Sequence, residues 1–467
     1  MTVPDVTGDE AGAQATAACE RVLDLLGSRA GRPEGVVTAS LGTSSLTRFA
    51  NSRIHQNVTE DIRSVTLTVA VDGRVARAGT TRTEPDALAA LVERALAAAA
   101  LRPADPDFAG FAPPAEVPAV EHWDDATAGA TPDQRAAVVE AFVAAGGGLG
   151  EAGSSEAAGF CSTGAITHVL ASTTGQRASA RTSSAQVDGI HRVTGPDGQV
   201  ADGSAQLTSV RLADLDGAAA GATAATKAAG GVEPIELAPG TYEVVLEPNA
   251  VAAALLFPAY FGFNGKAHAE GTSFVHLGEQ QWDEAVDIWD DATDHRALGR
   301  SFDAEGTPKR RVSLVDAGVS VGLAHDRRSA RLAGVEPTGH SVGMDAFGGI
   351  PTDLFLGHGT RPPHELVADV DRGLLVTDLW YNRVLDPKTQ VVTGLTRNGL
   401  FLIEGGAIAG AVQNLRYTQS VVAAFGPGRV LGLANDGQLA GGAEGDRAMH
   451  VPTVRLAAWS FTGNARG

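Results

Sequence analysis

Between Val36 and Thr80 the chain alternates apolar and polar residues in five short runs, a pattern that admits little except paired, half-buried strands. The runs are Val36–Leu41, Leu46–Asn51, Ile54–Val58, Val65–Val71 and Val75–Thr80. Asp72-Gly73 between the last two is a hairpin turn, because both residues tolerate positive φ. The segment Asp86–Leu101 follows as a helix, opened by Pro85 and stopped by Pro103. A second helix precedes the strands over Glu10–Leu26, with Cys19, Val22, Leu23 and Leu26 recurring at helical spacing. Cys19 is therefore read as a small core residue and not as a reactive thiol.

The same reading continues downstream. Leu101–Ala130, rich in Pro, Ala and Asp, is expected to be a connection laid across the surface. Thr131-Pro132-Asp133 starts a helix with a capping residue and a proline at the first helical position. Strands are expected near Gly159–Ser172, Arg177–Val193 and Gln199–Leu212, then a weak Ala/Gly-rich helix over Leu215–Ala229. A second region opens with the strand Gly240–Leu246 and an apolar helix over Pro248–Phe261. Short strands follow, Val312–Val315, Leu400–Glu404 and Val451–Trp459 being the clearest, with one helix from Pro363 to Asp371. The fold class is α+β: an N-terminal domain of β-meander and helix layers over residues 1–235, then a β-rich domain with inserted helices over 236–467. A chain of 467 residues is too long for one compact core, which agrees with two domains.

Acidic residues outnumber basic ones by 55 to 36, for a formal charge of −19, so no concentrated basic face is available for a nucleic acid. The longest apolar run, Val251–Phe263, is too short to cross a bilayer and is broken by Pro258. The opening residues are polar and acidic, and Cys19 and Cys161 make neither a disulfide framework nor a CxxC site. A reducing, cytoplasmic setting is expected.

Three constellations could carry chemistry. His364-Glu365 opens the helix at Pro363, but a zinc helix needs a second His at i+4, and that position is Ala368. His268, Glu270 and His276 lie within nine residues of one another in the loop after the apolar helix. Their spacing is poor for a metal and suits a loop that touches a partner or substrate. His340, Ser341 and Asp345 share a glycine-rich loop without the G-x-S-x-G turn of a hydrolase nucleophile.

Read together, several fragments resemble the TldD/TldE (PmbA) family across nearly the whole chain. Thr47–Gln56, Val69–Val75 and the Asp86 helix resemble its opening domain. Pro351–Gly359, Glu365–Val367, Gly373–Leu379, Gly394–Gly399, Ile403–Gly406 and Val451–Val454 resemble its C-terminal part, in the same order. The resemblance implies a two-subunit metallopeptidase in which the TldD subunit binds zinc through an HExxxH helix and a late Cys. The TldE subunit lacks those ligands and pairs with TldD around the active site. On this resemblance the motif's place falls at Gly262–Ala267, where neither His nor Glu stands. No Cys follows Cys161, and Gly441–Gly445 offers no thiolate.

The resemblance thus implies a TldE-type, non-catalytic subunit: no catalytic residue and no metal ligand in this chain, zinc in the TldD-type partner, and an extended peptide or amide as substrate. The residues expected to meet partner or substrate are Tyr260, Phe263, Asn264, Lys266, His268, Glu270 and His340. Two other readings stay open. One is an enzyme with a rearranged hydrolytic site around His268, Glu270, His276 and His340; the other is a homodimeric peptide-binding protein.

Overall fold

The computed structural model describes residues 8–148, 155–195, 198–344, 346–441 and 448–464. The N-terminal half is one antiparallel sheet: β1 (Glu34–Ala50), β2 (Arg53–Val71), β3 (Arg74–Thr80), β4 (Ser155–Ser172), β5 (Arg177–Thr194) and β6 (Val200–Ser209), in the order β3-β2-β1-β4-β5-β6. Its helices are α1 (Gly8–Gly27), α2 (Pro85–Ala100), α3 (Asp125–Ala128), α4 (Pro132–Ala145) and α5 (Gly217–Gly230). Strand alternation decides where they go. Odd-numbered residues of β1 and β4 face the helices: Val37, Ala39, Leu41, Val169 and Ala171 pack under α1 and α2, and Phe49, Ala157 and Cys161 under α4 and α5. Cys19 is fully buried on α1, as expected. The Thr131 capping box is present, with Gln134 reaching back to the Thr131 N–H.

Four of the five expected short strands merge in pairs: Ile54–Val58 and Val65–Val71 are one strand, β2, and Val36–Leu41 and Leu46–Asn51 are one strand, β1. Gly42 between them is not a turn residue: a Cβ there would sit 2.0 Å from the Ala165 carbonyl oxygen of β4, so the glycine permits close strand approach.

The segment from Arg102 to Trp123 is the irregular connection expected, mostly exposed or half-buried, with Ala112 and His122 buried. It threads between the second face of the sheet and the C-terminal half, bonded on both sides. Arg328 pairs with Asp105 and Asp107, and Arg327 donates to the carbonyls of Ala109 and Gly110. The fully buried His122 ring bonds the carbonyls of Gly299 and Asp294 at 2.6 and 2.9 Å. An irregular Pro/Ala-rich backbone cannot satisfy its own polar groups, and these cross-contacts satisfy them.

In the C-terminal half come β7 (Gly240–Leu246), α6 (Pro248–Phe257), α7 (Gly265–Ala269), β8 (Ile288–Asp290), β9 (Val312–Asp316), β10 (Val319–Ser320), α8 (Arg327–Ala333), β11 (Leu354–Leu356) and α9 (Pro363–Ala368). They are followed by β12 (Arg372–Asp386), β13 (Val391–Glu404), β14 (Ala407–Ala411), β15 (Leu415–Ser420), α10 (Val421–Ala424), β16 (Val430–Leu433), β17 (Gln438–Ala440), β18 (Met449–Val451) and β19 (Val454–Asn464). Strands β12, β7, β19, β15 and β13 pair in sequence, and β12 pairs with β13 to close a small barrel. Val244, Leu246, Leu374, Val376, Leu402, Val454 and Leu456 belong to its core. The remaining strands make a second sheet, β10-β9-β8-β11-β18-β17. Pro258 ends α6 four residues before the expected Phe261, because proline has no N–H to continue the ladder. One wider turn, closed by Phe263 N–H to the Pro258 carbonyl at 2.8 Å, then leads into α7. Among the described residues no helix is long and apolar enough to cross a membrane.

Candidate functional site

The α6–α7 segment, where most of the expected contact residues lie, is held from inside. Asn264 is buried: its Oδ1 accepts from Lys266 N and Ala267 N at 2.9 and 3.2 Å, while its Nδ2 donates to the Phe347 and Tyr260 carbonyls at 2.5 and 3.2 Å. It is the N-cap of α7, with both ends of its amide engaged within the chain. Phe263 is turned inward too. It is fully buried, with its ring centroid 5.7 Å from Phe274 and 5.8 Å from Trp282, because the wider turn after Pro258 rotates it into the aromatic core. Tyr260 and Lys266 are half-buried, whereas His268 and Glu270 are exposed. Lys266 Nζ pairs with Glu270 at 2.9 Å along the rim of a surface groove that also includes Asp326 and Arg328.

His340 is sealed, with Nε2 2.7 Å from Asp290 Oδ1 and Nδ1 2.8 Å from Thr338 Oγ1. The other oxygen of Asp290 accepts from Asp353 N at 2.7 Å, and Lys309 Nζ bonds Thr352 and Asp353 at 2.6 Å each. This internal network orders the loops around β8 and β11. Of the four residues of the rearranged site, His268, Glu270 and His276 are exposed and His340 is buried in that network. Asp345 lies outside the described residues.

Among the described residues no three His, Cys, Asp or Glu side chains are grouped to hold a metal ion. The α6–α7 segment does not fit one either: Gly262, Phe263 and Ala267 stand at the motif's place, and none carries a metal-binding side chain. Cys19 and Cys161 are buried in the N-terminal half, where burial pushes each thiol up to about 12. Gly442–Gly445 of the late glycine-rich stretch lies outside the described residues.

A different groove, about 460 Å³ in volume, opens where β5 and β6 meet the barrel. Asp188 of β5 and Asp378 of β12 face into it from opposite halves of the molecule. Burial pushes Asp188 up to about 6. Asp378 is raised to about 6 by burial and then by the Asp188 charge, against the smaller pull of Arg397 and Lys227. Both carboxyls therefore keep their protons to higher pH than an exposed aspartate does. Lys227 Nζ is engaged by Glu247 Oε2 at 2.5 Å. The Arg397 guanidinium lies 4.5 Å over the ring of Trp380, which is 50% exposed at the groove mouth. Apolar walls come from Ala253 and Leu256 of α6 and from Met449. The arrangement is a mouth with paired acceptors, an aromatic lip and an apolar side, suited to binding. Sequence reading does not single out Asp188 or Asp378. The available signal was an aspartate in the interior of a strand, a position that disfavours it unless something is gained there.

Two family models match the chain and together cover more than half of it: "PmbA/TldA metallopeptidase C-terminal domain" over residues 239–463 and "PmbA/TldA metallopeptidase domain 1" over residues 37–99. A curated relative, "Metalloprotease TldD homolog" of Buchnera aphidicola, is 26% identical over 182 residues, 38% of this chain; the match spans only 37% of that relative's own length. TldE from Thermococcus kodakarensis superposes with a TM-score of 0.85 at 17% identity, covering 96% of this chain and 100% of that one. A putative modulator of DNA gyrase from Thermotoga maritima gives 0.81 at 18% identity, with the same coverage of 96% and 100%. Another from Bacteroides thetaiotaomicron gives 0.81 at 19% identity, covering 98% of this chain and 100% of that one. At such identities these structures establish the fold, and the two family matches establish the kinship: the chain belongs to the PmbA/TldD metallopeptidase family.

Proposed function

We propose that this chain is the TldE-type, non-catalytic subunit of a two-chain zinc peptidase that hydrolyses peptide or amide bonds, shaping the substrate cleft of a zinc-bearing TldD-type partner. The observation that supports this reading is the α6–α7 segment. The family resemblance calls for a zinc helix at Gly262–Ala267, and this chain has there the end of a proline-broken helix, a buried Phe263 and a capping Asn264. The exposed edge of that segment, Lys266, His268 and Glu270 with Tyr260 beside it, is the surface offered to the partner. An extended peptide would lie along the shared cleft, recognised mainly through its backbone.

The test is co-expression with an HExxxH-bearing TldD-type chain, followed by peptidase assay and metal analysis of each chain and of the complex. The expected result is a stable heterodimer, with turnover in the complex and zinc held by the partner alone. Turnover by this chain alone, or about one zinc retained per chain, would overturn the proposal.

A further inference from the structure

The carboxylates of the groove between Asp188 and Asp378 are thinly partnered. No side chain among the described residues donates to Asp188, and Asp378 receives the Leu379 backbone N–H and Asn398 Nδ2 at 3.4 Å. That contact also fixes the Asn398 amide, because exchanging its N and O would set an oxygen against a carboxylate. Its Oδ1 is consequently left buried with no hydrogen-bond partner, a cost that a folded chain rarely carries without reason. Two residues lining or flanking the groove hold left-handed backbone, Asn398 at φ 57° and Tyr381 at φ 55°. For a bulky aromatic this is an outlier, and such strain concentrates at binding sites. Of the nearby cations, Lys227 is paired with Glu247, and Arg397 lies over Trp380 at the groove mouth, pulling only weakly on Asp378.

We infer that this groove binds a primary ammonium group carried on an apolar stem. Asp188 and Asp378 supply the carboxylate acceptors for an R–NH3+ group, which has three donors and no acceptor, and the unpartnered Asn398 Oδ1 lies buried beside them. Leu256, Met449 and the Trp380 ring take the stem. The ammonium could be the free N-terminus of a peptide or the end of a lysine side chain. A guanidinium is the poorer match, because its planar fork calls for one bidentate carboxylate and not for two carboxylates from different strands. The inference rests on the geometry of this chain alone and stands whether or not the chain pairs with a TldD-type subunit.

Calorimetric titration of the isolated full-length chain at pH 7.5 tests it with three probes: a Leu-Ala-Ala amide with a free N-terminus, its N-acetyl form, and an N-acetyl Leu-Ala-Lys amide. We expect at least one amine-bearing probe to bind about tenfold or more tighter than the acetylated, lysine-free peptide, the margin of a charge-assisted contact. Binding of the first probe alone assigns the site to peptide N-termini, and binding of the third to side-chain amines. The double variant Asp188→Asn, Asp378→Asn, with its circular dichroism unchanged, should lose that margin, while Glu365→Gln, outside the groove, should keep it. Equal binding of all three probes, no binding of either amine at millimolar concentration, or an unaffected double variant would overturn the inference.

Discussion

The two halves of the molecule are stabilised by different means. In the N-terminal half a single alternating pattern sends one face of six long strands under four helices, and the core is a set of apolar contacts. In the C-terminal half the barrel keeps that logic, but the loops around β8 and β11 are ordered by buried charge: Asp290 with His340, and Lys309 with Asp353. The contrast teaches where substitutions hurt. An apolar core loses what one side chain contributes, whereas a buried ionic network that loses one partner is left with an uncompensated charge.

The largest expected effect tests that contrast directly. Lys309→Met should cost about 3–5 kcal/mol in urea unfolding, since it strands Asp353 next to Asp290 away from water. Cys19→Ala, at an equally buried apolar site of the N-terminal half, should cost about 1 kcal/mol. Equal costs for the two variants would erase the distinction between the halves.

The next effect separates core from surface within the α6–α7 segment. Phe263→Ala should cost about 3 kcal/mol or more of stability by opening a cavity between Phe274 and Trp282. Tyr260→Asp, at a half-buried site, should cost about 1 kcal/mol or less, yet weaken association with a TldD-type partner by about tenfold or more. Denaturation and analytical ultracentrifugation of the mixed chains measure the two effects. Unchanged association of the Tyr260 variant would move the partner surface elsewhere.

The same difference governed what could be read from the sequence. In the N-terminal half, period-two alternation and turn residues located every strand, because burial on one face is written into residue type. One misreading there, a break at Gly42, came from a glycine that serves close packing and looks like a turn; another, a break between Val58 and Val65, came from a mostly polar run that β2 carries as an exposed stretch. In the C-terminal half, strands of two to five residues carry too little pattern to register, and β8, β10 and β11 went unread. His340 looked like a functional residue because sequence shows a histidine and not the Asp290 that encloses it. Asn264 and Phe263 were placed in a loop; the turn that buries one and makes the other a cap depends on Pro258 and on packing partners distant in sequence. The acid pair of the groove joins residues from opposite halves, a contact that no local pattern encodes.

The smallest effect sharpens the comparison at the seam between the halves. Asp378 and Asp188 face each other, with Arg397 and Lys227 as the charged groups that pull the other way. Both carboxyls sit at about 6, above the ordinary value of 3.8, so the folded state holds protons that the unfolded chain has already released. Stability contributed by the pair must therefore fall as pH rises from about 4 to about 6, and stay low above that. Depressed carboxylates such as Asp294, at about 2, act in the opposite sense and below that window. The difference between wild type and Asp378→Asn isolates the groove from them. Because both residues open onto solvent, the effect is discounted to about 1 kcal/mol. Asp378→Asn should then be more stable than wild type by about that amount at pH 7.5, with the gain shrinking towards zero near pH 4. Paired urea titrations across this range measure it. A variant that is less stable at pH 7.5, or a gain that grows as pH falls, would mean that the Asp378 carboxylate is satisfied in the free protein and that the seam is built like the ionic network of the C-terminal half.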